Sequence, residues 1–90
     1  MQKHIILDTD IGGDIDDCWA LGMLLNMPGL IPELVLSASG DTAYRAAVAA
    51  KFLSDAGASH IPVGIGIPRP DQDVPESLHA WLGGWNPEEY

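Results

Sequence analysis

An α/β fold built on a parallel sheet is what this sequence predicts, and three observations predict it. Short apolar runs alternate with longer helical segments in the order β-α-β-α-β. The connections are short, which favours right-handed crossovers between parallel strands. The acidic, glycine-containing stretch from Leu7 to Leu21 follows directly on the first apolar run. That is the strand end at which open α/β sheets bind their ligands.

The elements follow in order. His4 to Leu7 contains the run Ile5-Ile6-Leu7 and reads as a buried parallel strand. Asp16 to Met27 (DDCWALGMLLNM) is apolar on nearly every side, so a helix here is expected to be covered over most of its surface, and Pro28-Gly29 ends it. Glu33 to Ala38 is a second short apolar strand. Asp41 or Thr42 suits the N-cap of a helix reaching about Ala56, with Gly57 as its C-terminal stop. Ala43, Ala46, Ala47, Ala50 and Leu53 form the expected packing face of that helix, and Arg45, Lys51 and Asp55 fall elsewhere. Ile61 to Ile67 is a third strand. Pro68, Pro70 and Pro75 then break a polar loop, and Glu76 to Leu82 suits a short helix. The whole is a Rossmann-like β-α-β-α-β sheet in one domain, residues 1–90.

Composition narrows the function classes. Four Lys+Arg face 13 Asp+Glu, giving a formal charge of −9. This argues against nucleic acid and against an anionic membrane surface, both of which call for clustered cations. Hydrophobic residues make up 47% and charged residues 19%, a globular balance. Cys18 is the only cysteine, so no internal disulfide forms, and no apolar run reaches the ~20 residues of a membrane helix. The opening MQKHIILD is unlike a signal peptide. A cytoplasmic protein is expected. Three parallel strands would leave two open edges and an uncovered face. The chain therefore reads as the N-terminal part of a larger domain, with homo-oligomers expected.

The chemistry is concentrated between Asp8 and Asp17. Asp8, Asp10, Asp14, Asp16 and Asp17 place five carboxylates in ten residues. Asp8 and Asp10 fall on the same side of an extended chain, and Asp16 and Asp17 in the first turn of a helix, where the helix dipole favours negative charge. Gly12 and Gly13 allow the backbone between them to fold the two groups together. Two carboxylates 4 Å apart repel by about 4 kcal/mol at an effective dielectric near 20. Protonation or a bound cation would relieve this, and all-oxygen donors with no nearby Cys or His pattern suggest Ca²⁺ or Mg²⁺ rather than zinc. No glutamate stands at the twelfth position of an EF-hand loop.

Asp8-Thr9-Asp10-Ile11-Gly12, then Asp16-Asp17 with Ala20-Leu21, resembles the N-terminal signature of the inosine-uridine preferring nucleoside hydrolases. Ile11 stands where that family commonly has Pro, and two further residues separate the glycine from the Asp pair. Ser37 to Asp41, the Ala-rich helix and Ile61-Pro62-Val63 also fit. Leu78 to Gly84 is similar to a later His- and Gly-containing stretch of the family.

The resemblance implies the N-terminal part of a nucleoside-hydrolase-like domain and Ca²⁺-dependent hydrolysis of the N-glycosidic bond of ribonucleosides, in purine and pyrimidine salvage. It assigns Ca²⁺ binding and general-base action to Asp10, a second metal contact to Asp17, a ribose hydroxyl to Asp16 and orientation of the metal ligands to Asp8. Either Asp14 or Asp16 fills the ribose-contacting place. Asp41 stands where a ribose contact is expected, and it reads equally as a helix cap. His79 could assist the leaving base or be structural. Trp81 and Trp85 could stack on a base or pack as apolar groups. His4 and His60 read as surface residues, and Cys18 as a packed, unreactive thiol. Two other readings compete: a haloacid-dehalogenase-type Mg²⁺ phosphatase with Asp8 as nucleophile, and a non-catalytic α/β fragment that binds a cation or a partner.

Overall fold

Three strands lie side by side in chain order, all parallel. The computed structural model describes residues 2–70 and 78–90. The elements are β1 (Lys3–Thr9), α1 (Asp16–Leu25), β2 (Leu30–Ser37), α2 (Thr42–Asp55), β3 (Val63–Gly64) and α3 (His79–Leu82), with a closing 3₁₀ turn at Pro87–Glu89. The expected β-α-β-α-β order is present, with β2 central. Glu76 and Ser77, the start of the expected short helix, lie outside the described residues.

β1 and β2 are joined from Lys3↔Leu30 to Thr9↔Ser37, with one irregularity between Ile5 and Ile6. There Pro32 and Glu33 stand where the partner strand advances by a single residue. A proline cannot donate to a ladder, and a bulge is how a central strand accommodates one. The β2–β3 ladder is much shorter, Val35↔Val63 and Leu36↔Gly64. The expected strand 61–67 stops early because the next backbone groups find side-chain partners. The Gly66 amide donates to Ser37 Oγ at 3.1 Å, and the Gly66 carbonyl accepts from Thr42 Oγ1 at 2.8 Å.

Both long helices cover one face of the sheet. Leu21 and Leu24 of α1 and Val48, Ala49 and Leu53 of α2 enclose Val35, Ile11 and Ile61, and Ile5 and Leu7 of β1 pack against this core. The opposite face carries Ile6, 63% exposed, and the segment after β3 carries Ile65 and Ile67, 66% and 84% exposed. β1 is therefore buried on one side only, not on both as its apolar run suggested.

α1 also departs from expectation. Its stripe Ile15, Trp19 and Met23 faces outward, with Trp19 72% exposed. An all-apolar helix gives no periodic cue to its inward face, and here only the Leu21–Leu24 side is taken up. On α2 the buried residues are Thr42, Tyr44, Arg45, Ala46, Val48, Ala49, Ala50 and Leu53, while Ala43 is exposed and Ala47 half-buried. Arg45 thus belongs to the buried surface from which the sequence had placed it apart. Asp41 caps α2 through Oδ1, which accepts from the Tyr44 amide at 3.1 Å, and Gly57 ends it with φ +74°. Among the described residues no helix is long and apolar enough to cross a membrane.

Candidate functional site

The loop between β1 and α1 begins where β1 leaves the sheet, at its C-terminal end. Thr9 is the last residue of the strand and points inward, nearly buried. Its hydroxyl donates to Asp17 Oδ2, and it accepts from the Ile11 amide at 3.2 Å. The same Asp17 oxygen accepts from the Asp10 amide at 3.0 Å. Asp17, in the first turn of α1, thereby folds back onto the strand end and meets the Asp10 carboxyl.

The two acids perturb one another in opposite directions. The Asp10 carboxyl is pushed above its ordinary range, first by its hydrogen bond to the Asp17 side chain, then by burial and by the Asp17 charge. For Asp17 burial is the largest influence and works upward. Hydrogen bonds from the Asp10 side chain, the Thr9 hydroxyl and the Asp10 amide outweigh it and leave the carboxyl below its ordinary range. A pair of this kind favours the state with one proton between two carboxyls, or a cation in the proton's place.

The sequence-selected residues divide accordingly. Asp10 and Asp17 come together. Asp16 occupies the same helical turn but lies exposed on the α1 surface beside Ile15 and Trp19. Asp8 is exposed, paired with Leu36 in the sheet, on the side opposite the inward-facing Leu7 and Thr9. Asp14 is exposed in the loop, and Asp41 has one oxygen engaged as the α2 cap. Among the described residues no three His, Cys, Asp or Glu side chains converge into a group that could hold a metal ion. Asp10 and Asp17 fit as two oxygen donors of a site completed by other oxygens.

Two residues of α2 build this loop, and neither was selected from the sequence. Tyr44 donates from its hydroxyl to the Gly12 carbonyl at 2.7 Å and accepts there from the Leu78 amide at 2.9 Å. Arg45, 1% exposed, donates from Nη1 to the carbonyls of Asp10 (2.6 Å) and Ile11 (3.2 Å), and from Nε to that of Ser39 (2.8 Å). A Tyr-Arg pair three residues past a helix cap was the available signal.

An open groove of about 850 Å³ lies elsewhere, along α1, lined by Ile15, Trp19, Met23 and Phe52, with Asp16 at its edge. Its lining is mainly apolar. Cys18, half-buried beside this groove, has its thiol pushed up by burial and by Asp17, which leaves it a poor nucleophile. Trp81 lies under Lys51, whose Nζ is 4.1 Å from the ring centre. Fold and site together define a small α/β domain with a three-stranded parallel sheet and a carboxyl pair at the end of its first strand. Comparisons with protein-family models, with curated proteins and with solved structures return no match.

Proposed function

We propose that this chain carries the cation-binding edge of a Ca²⁺-dependent ribonucleoside N-glycosidase. The observation that carries the reading is the Asp10–Asp17 carboxyl pair, held together by Thr9 and the Asp10 amide at the C-terminal end of a parallel strand. The resemblance of Asp8-Thr9-Asp10…Asp16-Asp17 to nucleoside hydrolases supports it. The open face bearing Ile6 supports placing the chain within a larger domain of that kind.

Asp10 and Asp17 would hold Ca²⁺, an ion that takes oxygen donors. When bound, it would supply a more acidic water and a hold on vicinal ribose hydroxyls. The chain's own residues divide the other tasks. Asp17, fixed by Thr9 and the Asp10 amide, stays ionised. Asp10, whose carboxyl binds a proton more readily, accepts the proton of the attacking water. By the resemblance, Asp16 and Asp41 would take hydroxyls of the sugar and Asp8 would orient the metal ligands.

Calorimetric titration with Ca²⁺, with Mg²⁺ in parallel, tests the reading. One Ca²⁺ site is expected, lost in both Asp10→Asn and Asp17→Asn. No binding of either ion would overturn it. Ribose release from inosine or uridine, measured against phosphate release from an aryl phosphate, then separates the glycosidase from a phosphatase. Binding with neither activity leaves a cation-binding module.

A further inference from the structure

Three successive carbonyls of the acidic loop, those of Asp10, Ile11 and Gly12, are all held by two adjacent residues of α2. Arg45 takes the first two and Tyr44 the third. Arg45 also takes the carbonyl of Ser39, in the loop between β2 and α2. We propose that Arg45 is a positioning residue: its guanidinium clamps the two loops at the carboxyl end of the sheet and so fixes Asp10 against Asp17.

Four observations converge on this. First, arginine is seldom fully buried, and the desolvation cost of this one is offset by the three carbonyls it donates to, those of Asp10, Ile11 and Ser39. Second, the planar fork reaches oxygens from two loops at once, which a lysine ammonium on its flexible stem does not reproduce. Third, Ser39 adopts φ +77°, a left-handed conformation that a non-glycine residue holds only where its surroundings over-determine it, and its carbonyl is on Arg45 Nε. Fourth, Asp41 follows two residues after Ser39 and caps the helix that carries Arg45. One side chain therefore sets the acidic loop relative to both the cap and the strand.

That this edge of the sheet is the reacting one rests on the function proposed above. The clamp rests on the contacts alone, and its test needs neither metal nor substrate. Hydrogen exchange followed by NMR on the metal-free 90-residue chain reads it out. In the wild type the Arg45 Nε–H should exchange much more slowly than in free arginine. In Arg45→Lys the Asp10 and Ile11 amides should exchange about tenfold faster relative to the Leu53 amide in the core, the scale of losing a charge-assisted hydrogen bond.

A merely structural arginine would move all three amides together, and that outcome, or an unchanged ratio, would overturn the proposal. Should Arg45→Lys fail to fold, the wild-type Nε–H decides, because exchange as fast as in free arginine excludes the clamp. Where Ca²⁺ binds, Arg45→Lys should also weaken it about tenfold although the charge is kept. A chain with a slow Nε–H that binds no Ca²⁺ would sink the proposed function and leave the clamp standing.

Discussion

The Tyr44 hydroxyl donates to the Gly12 carbonyl at 2.7 Å, and the Tyr44 ring occupies the space that a side chain at Gly12 would need. A Cβ on Gly12 would lie 2.7 Å from Tyr44 Cε2, at a residue whose φ is +112°. The hydrogen bond and the missing side chain are two aspects of one close approach between α2 and the acidic loop.

Gly12→Ala should therefore cost about 2–5 kcal/mol, combining backbone strain with overpacking against a buried ring. Gly57→Ala is the control. Its φ of +74° is also left-handed, but nothing lies within 4 Å of the added carbon, so about 1–2 kcal/mol is expected. Urea denaturation of both variants checks this, and equal losses would remove the steric argument. Tyr44→Phe, which keeps the ring and removes both hydroxyl contacts, should cost about 1–3 kcal/mol.

The acid pair gives stability a definite dependence on pH. Asp10 binds its proton more tightly in the folded chain, because of its hydrogen bond to Asp17 first and its burial second. Its contribution is full below the ordinary value of 3.8 and is lost as pH rises through the raised one. Asp17 behaves oppositely. Burial raises it, the hydrogen bonds lower it further, and its contribution is present above 3.8 and lost as pH falls through the lowered value. Asp10→Asn should abolish the decline in stability on the alkaline side of 3.8 and leave the acid-side loss in place. Denaturation profiles of wild type and variant that run parallel above that pH would refute the pairing.

The same variant separates charge relief from cation binding. Asp10→Asn removes repulsion, so the metal-free protein should melt higher than wild type. It also removes a donor, so the rise in melting temperature on adding Ca²⁺ should shrink. Asp17→Ala should instead lower the metal-free stability by about 1 kcal/mol, since the Thr9 hydroxyl and the Asp10 amide lose their acceptor. Calorimetric melting with and without Ca²⁺ measures both, and an undiminished Ca²⁺ shift in Asp10→Asn would displace the ion from this pair.

Exposed apolar surface makes association the expected state in solution. Trp19, Met23 and Ile15 line one side of α1, and Ile65 and Ile67 follow β3. The charge of −9 opposes contact, but its reach is only about 8 Å at 0.15 M salt. Light scattering coupled to size exclusion should report masses above 9.6 kDa, reduced in Trp19→Lys. A clean monomer in the wild type would contradict the prediction.

Much of the architecture was legible because period is a local signal. Ile5-Leu7 and Leu34-Leu36 announced strands, and Asp41 and Gly57 marked both ends of α2. What escaped depends on contacts distant in sequence. The β3 ladder is cut short by Ser37 and Thr42, which take up the amide and the carbonyl of Gly66, and no window around Ile65 contains that information. Arg45 reads as a solvated helix residue until the carbonyls of Asp10 and Ser39 are placed beside it. At the candidate site, composition and spacing left five aspartates equally conspicuous, and the resemblance alone implied a joint role for Asp10 and Asp17. The contacts by which the Thr9 hydroxyl and the Asp10 amide hold Asp17 at the strand end lie beyond what a sequence window shows.

The strand order has a kinetic consequence. Each strand pairs with the strand that follows it in the chain, across a single intervening helix. No strand has to wait for a distant segment, so loop-closure entropy is met in two similar instalments. The β1–β2 ladder, the longest in the sheet, is therefore expected to form before the two-residue β3 ladder. Substitutions at Leu7 or Val35 should consequently slow folding, whereas those at Val63 should mainly speed unfolding.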